Sequence, residues 1–192
     1  MISALIIYLG ILISAIGTVS YFTDTVKGKI KPNKVSFALW SIAPLIAFFA
    51  ELTQGVGIQS LFTLSVGLFP FTIFLASFVN KKAYWKINKF DIGCGVLSLV
   101  GILLWYITKV GNTAIFFSIL ADVFALIPTL IKAYKFPETE SAWPWLAASI
   151  SALATIVTIT HWDFALWGFP VYIFLSDALV FTIVQFKLGK RK

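Results

Sequence analysis

The 192-residue chain has one cysteine and one histidine, and charged residues make up only 12% of it. A typical soluble domain carries about 25% charged residues, so this chain cannot coat a globular surface against water. A disordered chain is excluded as well, because disorder requires few apolar residues and many charges. The lone Cys94 rules out an intrachain disulfide and a cysteine-rich metal site. His161 stands alone without metal-ligand spacing, so neither a metal centre nor a membrane enzyme is expected, and no cofactor is implied. No N-x-S/T acceptor is present, so nothing marks a glycosylated lumenal face. The stretch 164–186 has no lysine, which excludes a retinal Schiff base there.

What the chain does have is apolar sequence. Hydrophobic residues reach 59% and mean hydropathy is +0.94. A spanning helix needs about 20 mostly apolar residues. Uncharged runs give seven candidates at 2–23, 35–53, 58–79, 91–108, 113–133, 143–160 and 164–186. Backbone groups in lipid must satisfy one another, so these runs are expected to be helices. The first run has no basic residue before it and no small-residue cleavage site, and reads as a spanning helix and not a removed signal.

The net charge of +7 is explained by topology and not by nucleic acid. With seven spans, all 15 Lys and Arg except Lys109 fall on one side. They are Lys27, Lys29, Lys31 and Lys34, then Lys81, Lys82, Lys86 and Lys89, then Lys132 and Lys135, then Lys187, Lys190, Arg191 and Lys192. The positive-inside rule places that side in the cytoplasm, with the N-terminus outside and the C-terminus inside. An even number of spans destroys the sorting. Trp85, Trp105, Trp143, Trp162 and Trp167 fall near span ends, as an aromatic belt does. The short loops and missing acceptor sites point to a bacterial plasma membrane, and the basic loops to anionic lipid as a partner.

The chain also repeats itself. Pro32, Ser36 and Trp40 recur as Pro137, Ser141 and Trp145, offset by 105 residues, and Lys27 matches Lys132 at the same offset. Phe69-Pro70 with Ile73-Phe74-Leu75 recurs as Phe169-Pro170 with Ile173-Phe174-Leu175, offset by 100. Helices 1–3 therefore match helices 5–7. Three is odd, so two directly fused triplets would be inverted; one intervening helix makes them parallel, related by an axis along the membrane normal. The expected fold is an all-α membrane protein of seven transmembrane helices, a 3+1+3 plan. It divides into a first repeat (1–80), a linker helix with its loops (81–110) and a second repeat with a basic tail (111–192). The linker helix, with Gly93, Gly95 and Gly101, is expected to pack on lipid and one bundle and to carry no chemistry.

This plan resembles that of the SWEET sugar transporters and the wider PQ-loop group, which includes cystinosin and the KDEL receptor. The segment Ala125 to Lys135, with Pro128-Thr129, followed by Ser141 and Trp145, is similar to a PQ-loop segment, with Thr129 at the Gln position. The first repeat has Thr23-Asp24 there and lacks the proline. The resemblance implies a small-solute carrier working by alternating access, with hinge prolines in the first two helices of each repeat. Acidic residues in later helices would serve proton coupling.

Asp122 and Asp177 are the sharpest candidates. Each lies about ten or more residues into its span, near the midplane at about 1.5 Å per residue. A carboxylate there costs about 2.5–3.5 kcal/mol on insertion scales and faces a cavity or the bundle interior. Their repeat counterparts are Gly17 and Ser77, and Ser77 is a further candidate for substrate or proton binding. The functional reading is substrate or proton binding; the bland one is a protonated Asp bonded to a carbonyl or a serine. Trp40 and Trp145, one turn after Ser36 and Ser141, are candidate substrate contacts or, as the simpler reading, interfacial anchors. Pro44, Pro70, Pro128, Pro144 and Pro170 lie inside spans as candidate hinges. Ser14, Thr18 and Tyr21 share a face, as do Ser151, Thr155 and Thr158, suiting interhelical bonds or a polar cavity. Glu51 at a helix end, and Glu138 and Glu140 in a loop, read as solvated. The expected function is transport of a small polar solute, with proton coupling through the aspartates as a candidate. The alternative is a seven-helix receptor or sensor of the KDEL-receptor type. An oligomer is compatible with either.

Overall fold

A computed structural model describes residues 2–83, 85–108 and 111–190. Lys109, Arg191 and Lys192 of the charge pattern lie outside the described residues, as does the side chain of Trp105. Among the described residues there are seven α-helices and no strand: α1 Ile2–Val26, α2 Lys34–Thr53, α3 Ser60–Ala76, α4 Lys89–Thr108, α5 Gly111–Lys135, α6 Ala142–Ile156 and α7 Phe164–Gln185. Helices α1, α2, α5 and α7 are long and apolar enough to cross a membrane.

Two of the expected spans are shorter as α-helices. α3 ends at Ala76, where the Ser77 hydroxyl donates to the Phe74 carbonyl and the chain tightens into i→i+3 turns at Phe78 and Val79. α6 has 15 residues, about 22 Å at the helical rise. It stops where Ile156, Val157, Thr158 and Ile159 bring four β-branched side chains together, which crowd the preceding turn. The Thr158 hydroxyl takes the Thr155 carbonyl.

The helix ends are set locally. Asn33 caps α2, its Oδ1 accepting from the N–H groups of Val35 and Ser36. Asn88 and Asp91 form a reciprocal box at the start of α4: Asn88 Oδ1 accepts from Asp91 N–H, and Asp91 Oδ2 accepts from Asn88 N–H. Gly28 and Gly55, both at positive φ, close α1 and α2 in Schellman turns, with Lys29 N–H donating to Asp24 O and Val56 N–H to Glu51 O.

α1 shows why the segments look apolar all round. Ile2, Leu5, Leu9, Leu12, Ile16 and Val19 form one exposed stripe. Ile7, Gly10, Gly17 and Tyr21 form a second, buried one. Such an exposed apolar face is unusual for a soluble monomer and fits a lipid-facing surface. The buried stripe packs on α6 at close range. A Cβ built on Gly17 would lie 2.7 Å from Ala147 Cβ, and one on Gly10 2.9 Å from Ala154 Cβ. Small residues let the two backbones approach.

Six helices share their main contacts in a closed order: α1 on α3, α3 on α2, α2 on α5, α5 on α7, α7 on α6 and α6 on α1. α4 lies outside this order, mainly against α5 and less against α2. At one end, the segments after α1, α3 and α5 are tied together. Asn80 Nδ2 donates to Val26 O, Lys31 N–H to Thr139 O, and Asn33 Nδ2 to Asp91 Oδ1. This end carries the described loop lysines and is called the basic end below.

Candidate functional site

The site is built along the α2–α5 contact. Pro128 has no N–H for the Phe124 carbonyl one turn back, so α5 is locally loosened there. The next carbonyl, Ala125 O, accepts the Ser36 hydroxyl at 2.6 Å, and Ser36 Oγ in turn accepts from Thr129 Oγ1 at 3.1 Å. One turn further along α2, Trp40 Nε1 donates to Asp122 O. The opposite contact, α1 on α6, has none of these bonds and relies on Gly10 and Gly17 instead.

Between these contacts lies a cavity of about 100 Å³, on whose wall Asp122 and Asp177 both stand. α5 supplies Asp122 and α7 supplies Asp177, each buried near the middle of its helix. Tyr172 Oη donates to Asp122 Oδ2 at 2.6 Å, and Asp122 Oδ1 is buried with no hydrogen-bond partner. Ser14 and Thr18 of α1 and Ser176 of α7 add hydroxyls to the wall. Trp40 and Trp145 line the same cavity. Both are buried, so the anchoring reading of these two side chains does not hold. The indoles face the bundle because each follows a helix start by one turn, already inside the ring of helices. Of the remaining tryptophans, Trp143 and Trp162 are exposed near helix ends, as belt residues are.

Four rings close the cavity toward the basic end. Tyr21, Phe37, Trp40 and Trp145 contact one another in a cycle, with centroids 5.2–6.3 Å apart. Three of the four pairs meet edge to face, the favoured arrangement of ring quadrupoles. Beyond the rings, Tyr21 Oη donates to Glu140 Oε2 at 2.7 Å, and the other Glu140 oxygen pairs with Lys132, which also donates to the Lys31 carbonyl. Both charged side chains are 0% exposed. The solvated-loop expectation for Glu140 is therefore overturned, and Lys132 is not a free loop charge. The 3-10 turn Pro137–Thr139 folds the loop back under α5 and carries Glu140 to the lysine. On the other side of the cavity, Phe62 and Phe169 pack with Ala47 and Ala152.

The remaining sequence candidates divide. Pro70 and Pro144 reach the cavity. Pro44, Pro128 and Pro170 lie inside α2, α5 and α7 away from its wall. Pro144 is the third residue of α6 after the N-cap Ser141, where no helical hydrogen bond is lost, so it does not kink that helix. Ser77 is not brought to the site. α3 stops just before it, and it faces a shallow cavity with Lys34 and Asn80, while α7 runs eight residues past Asp177. Glu51 is 1% exposed and accepts from Thr63 Oγ1 at 2.9 Å, which overturns its reading as a solvated helix end. The stripe of Ser151, Thr155 and Thr158 bonds mostly to its own helix: Thr155 donates to Ser151 O and Thr158 to Thr155 O.

Three participants were not singled out from sequence: Tyr172, Phe37 and the Lys132–Glu140 pair. Tyr172 precedes Ser176 by one helical turn, a polar spacing that was legible. Lys132 sits within the apolar run that ends at Ala133, a position where a solvated lysine is unexpected. Comparison of the chain with protein-family models, curated proteins and solved structures finds no match.

Proposed function

We propose that the chain is an integral membrane carrier that moves a small polar solute by alternating access between two three-helix units, α1–α3 and α5–α7, with α4 as the linker. The boundaries are those of residues 1–80, 81–110 and 111–192. The neighbour order supports this reading. α1–α3–α2 and α5–α7–α6 are the same sequence of contacts, and exchanging the units turns the α1–α6 contact into the α2–α5 contact. On this reading the chain is a member of the SWEET and PQ-loop group, its basic end is cytoplasmic and its membrane is a bacterial plasma membrane.

One observation carries the proposal: a cavity between the two units that bears two buried carboxylates at mid-helix. Intramembrane carboxylates are rare and mark substrate or proton pathways. The aromatic cycle with the Lys132–Glu140 pair is the gate at the basic end, and the Phe62–Phe169 cluster is the gate at the other. Pro44, Pro70, Pro128 and Pro170 are the points where helices bend between the two states. Asp122 and Asp177 bind the solute, a proton or both. The test is counterflow in proteoliposomes holding a pH-sensitive dye, with sugars, amino acids and amines offered in turn. Expected is saturable exchange of one class, lost in Asp122→Asn and Asp177→Asn. Exchange indifferent to both substitutions would remove the aspartates from the mechanism. Absence of exchange for every class would sink the carrier reading.

A further inference from the structure

The wall of the cavity carries an imbalance. Asp122 and Asp177 are its ionisable carboxyl groups, and among the described residues no Lys, Arg or His lines it. The polar donors are largely spent on the protein itself. Thr18 Oγ1 donates to Ser14 O, Tyr21 Oη to Glu140, Trp40 Nε1 to Asp122 O and Ser176 Oγ to Ile173 O. The Ser14 hydroxyl and the Trp145 N–H are the donors left. Most of the acceptors are not spent. Asp122 Oδ1, the Asp177 carboxylate and hydroxyl lone pairs remain, beside the indoles of Trp40 and Trp145.

Such a wall suits a particular occupant. Each hydroxyl of a neutral polyol brings two acceptor lone pairs with its one donor, and most of those acceptors would go unpaired here. An anion would meet carboxyl oxygens with only the Ser14 hydroxyl and the Trp145 N–H left to bind it. A cation with N–H groups matches the carboxylates by charge and by hydrogen bonding. It also gains from the indole faces, which attract cations most strongly among the aromatic rings. The space is modest. A cavity of 150 Å³ admits benzene, so about 100 Å³ sets a limit of a few heavy atoms in this conformation.

We propose that the solute is a small organic ammonium ion, held by the carboxylates of Asp122 and Asp177 against the faces of Trp40 and Trp145. This rests on the carrier reading for its transport but not for its binding, and the test separates the two. Radiolabelled ethanolamine is equilibrated with the purified full chain in detergent, and ethylene glycol, glycolate and glucose are offered as competitors. Ethylene glycol replaces the ammonium by a hydroxyl at the same number of heavy atoms. The same four probes are then run in counterflow.

Saturable ethanolamine binding that ethylene glycol and glycolate fail to displace supports the proposal, and Asp177→Asn and Asp122→Asn should each weaken it by about tenfold to a hundredfold. Trp145→Phe should weaken it less than Trp145→Ala. Binding without counterflow leaves the ammonium site standing and refutes the carrier. Counterflow of glucose or ethylene glycol without ethanolamine binding refutes the ammonium class and leaves the carrier standing. Absence of ethanolamine binding overturns the proposal. The competition series needs only the native chain, so a variant that fails to fold does not remove the test.

Discussion

The Lys132–Glu140 pair gives a prediction with a distinctive signature. Neither side chain has exposure to water, and among the described residues the pair's further hydrogen-bond partners are Tyr21 Oη and the Lys31 carbonyl, with the Trp85 ring 5.2 Å from Lys132 Nζ. Removing one member of such a pair strands the other charge, which is destabilising by about 3–5 kcal/mol, whereas replacing both is often nearly neutral. Glu140→Gln keeps an acceptor for Tyr21, and Lys132 keeps the Lys31 carbonyl, so its loss is expected near the lower figure. Lys132→Met leaves Glu140 with the Tyr21 phenol alone and is expected near the upper one. The double variant should return to within about 2 kcal/mol of the native chain. The assay is unfolding by an anionic detergent in mixed micelles, followed by tryptophan fluorescence, with the four proteins forming a double-mutant cycle. Single losses under about 1 kcal/mol, the range of solvated pairs, would refute the burial argument. So would losses that simply add in the double variant.

Three other outcomes follow from packing, capping and topology. Gly17→Ala should destabilise by about 1–3 kcal/mol, because the new methyl meets Ala147 Cβ at 2.7 Å. Ala147→Gly should restore part of the loss, and a gain in stability, the ordinary result of Gly→Ala within a helix, would show the α1–α6 contact to be loose. Asn33→Ala should lose about 1–2 kcal/mol of capping, read in the same titration. Asn33→Asp should not recover all of it, because the restored cap carries a charge facing Asp91. In a Cys94→Ser background, cysteines at Trp162 and Lys187 should react with an impermeant maleimide from opposite sides of sealed vesicles. Labelling of both from one side would show that α7 does not cross and would contradict the seven-span plan.

The helices were legible because long uncharged apolar runs have one option for their backbone groups in lipid. Uncharged runs long enough to span become helices, and charges and glycines mark their ends, so the boundaries of α1, α2, α4, α5 and α7 fall within a few residues of the charge breaks. The misjudged ends, those of α3 and α6, are where no charge intervenes and β-branched crowding or a serine cap decides. Asp122 and Asp177 were visible for the same reason as the helices, as charges where charge is expensive. Glu51, Lys132 and Glu140 were not. Each lies at a run's edge, where sequence alone does not distinguish a side chain turned to water from one turned inward. Glu140 is buried only because a 3-10 turn folds its loop under α5, and Glu51 only because Thr63 comes from another helix to meet it. Repeat matching also misled at one point. Ser77 aligns with Asp177, but equal sequence offset does not give equal depth when one helix stops and the other continues.

Tyr21 belongs to two assemblies at once. Its ring is part of the cavity wall, and its hydroxyl is one of the few partners of Glu140. The rotamer of one side chain is therefore a shared coordinate of the cavity's shape and the ion pair's stability. Free energy that an occupant spends in displacing the ring is withdrawn from the pair, and a change at the pair returns to the cavity with the same magnitude, as thermodynamic linkage requires. A conservative Tyr21→Phe exchange keeps the wall and cuts that link, turning two coupled equilibria into two independent ones.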